Sequence, residues 1–169
     1  MNRAGKIIAI GGGGFTHGLD PSLDEFCLDF VSAQPNVGFV GLASLKVEEK
    51  IERFYERFGG YAASLSHLSQ DASETEAKLW LAGMQLVYFG GGNTAHLIEQ
   101  LKSRRMVQLF RRANAEGLVI AGVSAGGVCW FDWALSDAGG KGYAPLAGLG
   151  FVGSGVCPHY SEEPQRRPV

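Results

Sequence analysis

The chain has 169 residues, a length that fits a single domain with its own core. Hydrophobic residues make up 46% of the chain and charged residues 19%, a balance typical of globular proteins and not of disordered ones. The formal net charge of -2 provides no basic surface of the kind that binds nucleic acid or an acidic membrane. We therefore expect no nucleic-acid partner and no membrane partner.

The cysteines and the first apolar run indicate the compartment. Cys27, Cys129 and Cys157 are widely spaced and form no Cys-x-x-Cys pair, which argues against a zinc ribbon or a thioredoxin motif and favours a reducing compartment. The apolar run Ile7–Ile10 is too short for the core of a signal peptide or for a membrane helix. These features predict a cytoplasmic protein.

Short apolar runs alternate with helical patterns along the chain. In chain order the predicted elements are a strand over 6–10, a helix over 20–33, a strand over 37–42, a helix capped by Ser44, a strand over 61–68, a helix after the capping box Ser73-x-x-Glu76, a strand over 86–89, helices over 94–101 and 107–116, a strand over 118–121, a helix from 122–127 toward 135, and a strand over 151–157. Short apolar strands separated by helices favour parallel pairing, with helices covering both faces. We predict an α/β sandwich with a mostly parallel sheet.

Glycine is unusually frequent, with 25 residues that concentrate in a few clusters. The clusters at 11–14, 90–92 and 122–127 each follow a predicted strand. Because function in open parallel sheets lies at the carboxyl ends of the strands, we expect these three turns to border one site.

The third glycine cluster contains the sharpest motif, Gly122-x-Ser124-x-Gly126, between a predicted strand and a predicted helix. This is the pattern of a nucleophile elbow, in which a serine occupies a strained turn and side chains two positions away would clash. Ser124 is the candidate nucleophile, and the N–H of Ala125 is the natural oxyanion donor. The alternative is a glycine-rich turn that only packs a helix on the sheet.

The second glycine cluster continues into Asn93 and Thr94, either of which can cap the next helix. Glycines after a strand present bare N–H groups, so Gly91 and Gly92 are candidates for a second oxyanion donor, and Asn93 beside them is a candidate substrate-binding residue. A phosphate-binding turn or a purely structural turn stays open at this point.

A serine nucleophile needs a base, and His159 is the best candidate because it follows a late apolar run and a proline. His17 follows the first glycine turn and is a minor candidate at the same edge of the sheet. Asp137 completes the hydrolase order of serine, aspartate and histidine, while Asp132, Glu162 and Glu163 remain open as alternatives for the acid.

These motifs together resemble peptidase family S51, which includes dipeptidase E and cyanophycinase. The resemblance rests on residues 7–14, 89–94, 121–127 and 158–160, in the family's order. It implies a flavodoxin-like three-layer sandwich similar to class I glutamine amidotransferases, with Ser124 in the place of their cysteine. It further implies that Ser124 is the nucleophile and His159 the base, with Asp137 near an important aspartate of the family.

The resemblance also implies a chemistry and a substrate. We expect a serine peptidase that hydrolyses small peptides with oxyanion donors in the 90–92 turn and at Ala125, and without metal or cofactor. Dipeptidase E binds the aspartate of its substrate with an arginine beyond the histidine; Arg166 and Arg167 lie in that direction, but the local sequence does not align closely. An esterase or amidase on the same site is the first alternative, and a non-catalytic binding module that holds a phosphate in a glycine turn is the second.

Members of the family are typically longer, with further strands after the histidine and, in some assignments, a glutamate there as the acid. We therefore expect 1–169 to form a single S51-like domain without the family's C-terminal segment. An exposed sheet edge left in this way favours dimerisation or aggregation, so a homodimer is one expectation.

Overall fold

A five-stranded parallel sheet forms the centre of the protein. The structure is a computed structural model that describes residues 5–140 and 142–167. The strands lie in the order β1-β5-β4-β2-β3, and each neighbouring pair is parallel. Their bounds are Ile7–Ile10 for β1, Asn36–Val40 for β2, Ser64–His67 for β3, Leu86–Phe89 for β4 and Val119–Val123 for β5.

Helices cover both faces of this sheet, as the α/β prediction requires. Their bounds are Pro21–Leu28 for α1, Glu48–Phe58 for α2, Glu74–Leu81 for α3, Thr94–Ser103 for α4 and Met106–Ala115 for α5. Apolar side chains of α1 and α2 pack in one buried cluster, and those of α3, α4 and α5 pack in the other. Strand β4 sends alternate side chains into both clusters, which explains why its sequence is apolar throughout. Within the described ranges, no helix combines the length and the hydropathy that crossing a membrane requires.

The segment after the elbow differs from the prediction. The helix there, α6, covers only Ala125–Val128, so the helix predicted to run toward 135 is wrong. Strand β6 follows at Phe131–Ser136 and pairs with β7 at Ala144–Ala147 and with β8 at Val152–Val156 in a second, three-stranded sheet. The aromatic residues of this segment favour a strand, and its partners lie further along the chain. Strand β8 falls within the strand predicted at 151–157, whereas β7 was not predicted.

Several local predictions can be compared with the structure directly. The capping box is present, because Ser73 accepts a hydrogen bond from the Glu76 N–H while the Glu76 side chain accepts one from the Ser73 N–H. The hydrogen bond from the Ser73 N–H lowers the pKa of the Glu76 carboxyl.

Two other predicted caps are absent. Asp20 has a positive φ of 47° and makes no capping hydrogen bond, and the Ser44 hydroxyl donates to the carbonyl of Lys46 instead of capping α2. The predicted strand over 61–68 and helix over 20–33 are both shorter in the structure.

A fully buried carboxylate lies under the first glycine turn. Asp24, on α1, accepts a hydrogen bond of 2.9 Å from the Tyr88 hydroxyl, and Arg57 Nε lies 3.4 Å from its other oxygen. Burial raises the pKa of Asp24 to about 6, although Tyr88 and Arg57 both act to lower it. A Cβ atom on Gly14 would lie 2.9 Å from the carboxylate, so the turn rests directly on this group.

We expect Asp24 to make the stability of the protein depend on pH. Because the pKa of Asp24 is higher in the folded state than the ordinary value of 3.8, its favourable contribution is complete below about pH 4 and is lost as the pH rises through about 6. Relative to Asp24→Asn, the wild type should therefore lose up to about 3 kcal/mol of unfolding free energy over this interval. Urea unfolding at several pH values measures this difference.

The exposed loop residue Asp71 provides the matched control. Asp71→Asn should follow the wild-type pH dependence throughout. A difference between wild type and Asp24→Asn that stays constant with pH would contradict the prediction.

Candidate active site

Ser124 lies at the turn between β5 and α6 with a φ of 50° and a ψ of -119°. A Cβ atom on Gly122 would overlap the carbonyl oxygen of Gly126, and one on Gly126 would overlap the carbonyl oxygen of Phe89. The turn can therefore close only with glycine at both positions, which is the steric pattern predicted for a nucleophile elbow.

The structure brings His159 to Ser124. The ring atom Nε2 of His159 lies 3.0 Å from Ser124 Oγ, within the distance that a general base requires. The backbone of His159 has a positive φ of 52°, and its N–H donates to the carbonyl of Gly11 at 3.2 Å. A Cβ atom on Gly12 would lie 2.6 Å from His159 Nδ1. A side chain at position 12 would therefore overlap the His159 ring.

The sequence placed the first turn at the edge of the site but did not predict its contact with His159. The His159 ring packs over Gly12, and the carboxylate of Asp24 packs against Gly14. The glycine pattern alone cannot reveal the contact between Gly12 and His159, because the two residues are distant in sequence.

The carboxylate that faces His159 is Glu162. Glu162 Oε2 lies 3.6 Å from His159 Nδ1, although the Glu162 side chain is 70% exposed. In the described part of the chain, no ion pair within 4.0 Å joins Asp137 to His159; Asp137 lines the cavity beside Ser124. The reason is that Asp137 follows strand β6 rather than the long helix that the sequence predicted.

Glu163 is engaged elsewhere. Its carboxylate accepts hydrogen bonds of 2.7 Å from the Tyr143 hydroxyl and from Arg166 Nε, and these bonds lower its pKa. Arg166 Nη1 donates to the carbonyl of Leu135, and the guanidinium lies 4.3 Å from the centre of the Tyr143 ring. The buried Arg166 is thus held by this group of residues at the cavity wall. Arg167 donates to the carbonyls of Tyr160 and Ser161.

The second glycine turn lies against the serine. A Cβ atom on Gly91 would lie 3.5 Å from Ser124 Cβ, and one on Gly92 would overlap the carbonyl of Ala43. Across the residues that the structure describes, the N–H groups of Gly91, Gly92 and Ala125 have no backbone acceptor, and Gly92 lines the cavity beside Ser124. Asn93 caps α4 by accepting a hydrogen bond of 2.9 Å from the His96 N–H.

The candidate site opens into a cavity of about 510 Å³. The residues that line it are Gly92, Asn93, Thr94, Ser124, Ser136, Asp137, Ala138, Gly140, Pro158, His159, Glu163 and Arg166. Within 5–140 and 142–167, no group of three or more His, Cys, Asp or Glu side chains is arranged to hold a metal ion.

His17 lies at the edge of this site, as the sequence suggested. Its ring is 6.0 Å from that of His159, and its Nδ1 lies 2.7 Å from the carbonyl of Gly13. A carbonyl can only accept, so Nδ1 is the donor in this pair and Nε2 is the ring atom left for other contacts.

The close contact at Gly126 gives a prediction about the elbow. Gly126→Ala should destabilise the protein by about 1–3 kcal/mol, because the added methyl group overlaps backbone atoms that cannot move independently. Urea unfolding measures the loss. Gly83→Ala is the control, since a Cβ atom at Gly83 meets nothing within 4 Å. Equal stability of the two variants would show that the elbow is not sterically closed.

Comparison with known proteins identifies the family of the chain. Residues 7–169 match the family model of Peptidase family S51. The chain is 37% identical over 167 residues to the "Uncharacterized peptidase YgaJ" of Bacillus subtilis (strain 168), and the alignment covers 97% of this chain and 72% of that protein.

Two solved structures share the fold. A "Putative Peptidase E Protein" from Listeria monocytogenes EGD-e has a TM-score of 0.66 at 21% identity, covering 87% of this chain and 75% of that one. A peptidase from an acI-B1 Actinobacterium has a TM-score of 0.73 at 18% identity, covering 98% of this chain and 74% of that one. From the family match and the Bacillus relative together, we conclude that this chain belongs to peptidase family S51 and is a hydrolase of the serine-peptidase class.

Proposed function

We propose that the protein hydrolyses small peptides through an acyl-enzyme on Ser124, with His159 as the general base. The observation that carries the proposal is the 3.0 Å contact between His159 Nε2 and Ser124 Oγ at a strained turn. A serine hydroxyl is a weak nucleophile by itself and needs an adjacent base, which this contact supplies.

The first half of the reaction follows from these positions. His159 Nε2 takes the proton of Ser124 as Oγ bonds to the peptide carbonyl carbon, and an electron pair of the C=O bond moves onto the oxygen. The N–H groups of Ala125 and of the Gly91–Gly92 turn stabilise this oxyanion. When the C=O bond re-forms, the C–N bond breaks and the protonated His159 gives its proton to the leaving amine.

Water completes the reaction. His159 takes a proton from the water as the water oxygen attacks the acyl carbon, and the second oxyanion forms on the same donors. Its collapse breaks the bond to Ser124 Oγ, which recovers its proton from His159, and the carboxylic acid is released.

Glu162 is the residue that we propose to orient His159. For Nε2 to accept the serine proton, Nδ1 must carry the ring hydrogen, and Nδ1 faces Glu162 Oε2 at 3.6 Å. The carboxylate would also stabilise the imidazolium that forms during the reaction. Asp137 in this proposal is a substrate-binding residue of the cavity wall rather than the partner of His159.

The cavity supports a small peptide as substrate and does not favour strict selection of aspartate. Arg166, the cation on the cavity wall, uses Nε on Glu163 and Nη1 on the Leu135 carbonyl. Its charge is therefore already offset by a carboxylate. We propose that Asp137 and the amide of Asn93 bind the polar ends of the peptide, with the carboxylate of Asp137 suited to the free α-amino group.

A serine-directed phosphonate tests the nucleophile. Intact-mass measurement should show one adduct on the wild type and none on Ser124→Ala, and His159→Ala should slow its formation strongly because the hydroxyl loses its base. Ser136→Ala is the matched control, because Ser136 lines the same cavity and should not affect labelling. Labelling that persists in Ser124→Ala, or a folded wild type that takes no adduct, would overturn the proposed function.

The two candidate acids can be separated kinetically. Glu162→Gln should lower kcat/KM about tenfold through kcat, a smaller loss than for a buried triad acid because Glu162 is largely exposed to water. Asp137→Asn should instead raise KM with little change in kcat. Steady-state kinetics on a panel of small peptides, with aspartyl peptides and an ester included, measures both parameters. A larger fall in kcat for Asp137→Asn would restore Asp137 as the acid.

A further inference from the structure

Lys50 reaches the candidate oxyanion turn from helix α2. Its Nζ donates to the carbonyl oxygen of Gly91 at 2.7 Å, and the side chain is partly buried. The neighbouring charges Glu49 and Arg53 pair with each other. Lys50 forms no ion pair in the described part of the chain. Within that part, its ammonium group interacts with the protein through the hydrogen bond to the Gly91 carbonyl.

Burial of this ammonium group disfavours its charged form and therefore changes its pKa. Burial lowers the pKa of Lys50, the positive charge of Arg53 lowers it further, and Glu49 opposes both effects. A lysine without a structural role on the surface of a helix would extend its ammonium group into water and keep its solvation. The position of Lys50 therefore points to a role for its contact with Gly91.

The geometry of one peptide unit shows what that role is. The carbonyl of Gly91 and the N–H of Gly92 belong to the same planar peptide, and the described residues contain no cis peptide bond. In a trans peptide these two groups point in opposite directions, so a donor that holds the carbonyl on one side directs the N–H to the other. Gly92 lines the cavity beside Ser124, and its N–H has no backbone acceptor among the described residues.

We propose that Lys50 is a positioning residue for transition-state stabilisation, because its ammonium group fixes and polarises the Gly91–Gly92 peptide so that the Gly92 N–H binds the oxyanion. The inference rests on the proposed function, in which Ser124 is the nucleophile. Lys50 is not among the described residues that line the cavity beside Ser124, so we infer that it acts through the Gly91–Gly92 peptide.

Two physical effects contribute. A hydrogen bond to a charged donor draws electron density toward the Gly91 carbonyl oxygen, which makes the N–H of the same peptide a stronger donor. A peptide between two glycines also rotates easily, since no Cβ atom restricts it. The Lys50 contact, together with the hydrogen bond of 2.9 Å from the Asn93 N–H to the Ala43 carbonyl, holds it in one orientation.

Kinetics of Lys50 variants test the inference. Loss of a complete oxyanion donor costs roughly 100- to 1,000-fold in kcat, so loss of a group that acts through the donor should cost about tenfold. Lys50→Met should lower kcat by this factor and weaken inhibition by a small boronic acid, whose tetrahedral adduct places an oxygen in the oxyanion position, to the same extent. KM should stay within about twofold, because the interaction strengthens in the transition state.

Three further variants make the test specific. Lys50→Arg, which keeps a cationic donor, should recover most of kcat, and the exposed Lys46→Met should behave as wild type. Lys50→Gln keeps an N–H donor without the charge and should fall between wild type and Lys50→Met. Thermal unfolding monitors the fold; if Lys50→Met is unfolded, Lys50→Gln must show the loss of kcat and of boronate affinity.

The outcomes separate this inference from the proposed function. A wild type that takes the phosphonate adduct on Ser124, combined with Lys50 variants that keep kcat and boronate affinity, overturns the inference alone. A change confined to KM also overturns it, since that result would make Lys50 a ground-state substrate contact. A wild type without an adduct on Ser124 overturns the proposed function, and the inference with it.

Discussion

The close approach of the elbow backbone to the end of strand β4 is the contact on which the site depends. Gly126 lies so near the carbonyl of Phe89 that no side chain fits between them. This contact forces the chain to turn sharply after β5 and holds Ser124 at a positive φ. Hydrogen bonds from the Ser124 N–H to the Ile10 carbonyl and from the Gly127 N–H to the Ser124 carbonyl compensate for the strain. The ends of three central strands are thereby fixed relative to one another.

The glycine turns at this edge have no side chains that could hold them, so groups beneath them do so. The carboxylate of Asp24 packs against Gly14, and the ammonium group of Lys50 donates to the carbonyl of Gly91. Both groups lie on helices of the same layer. Burial raises the pKa of Asp24 and lowers the pKa of Lys50, so it favours the neutral form of each. Both groups lose contact with water when they are buried. Their contacts hold the backbone of the glycine turns in one conformation.

The features that depend on local sterics and burial could be predicted from the amino-acid sequence. Strand β4 and the capping box of α3 follow from a continuous apolar run and from a four-residue pattern, and both are present as predicted. The elbow was predictable for the same reason, because glycines at 122 and 126 are required by clashes within the turn and against the adjacent strand. Alternating short strands and helices were sufficient to predict a parallel sheet covered on both faces.

The remaining features depend on contacts between segments that are far apart in the chain. The segment after the elbow forms β6 rather than a helix because its partners, β7 and β8, lie further along the chain. The ring of His159 reaches Ser124, 35 residues earlier, through a turn with a positive φ that also directs Nδ1 toward Glu162. Neither that direction nor the reach of Lys50 across to Gly91 is encoded in a local pattern. A motif specifies which residue types stand at a turn, whereas the packing of distant elements determines which side chains meet there.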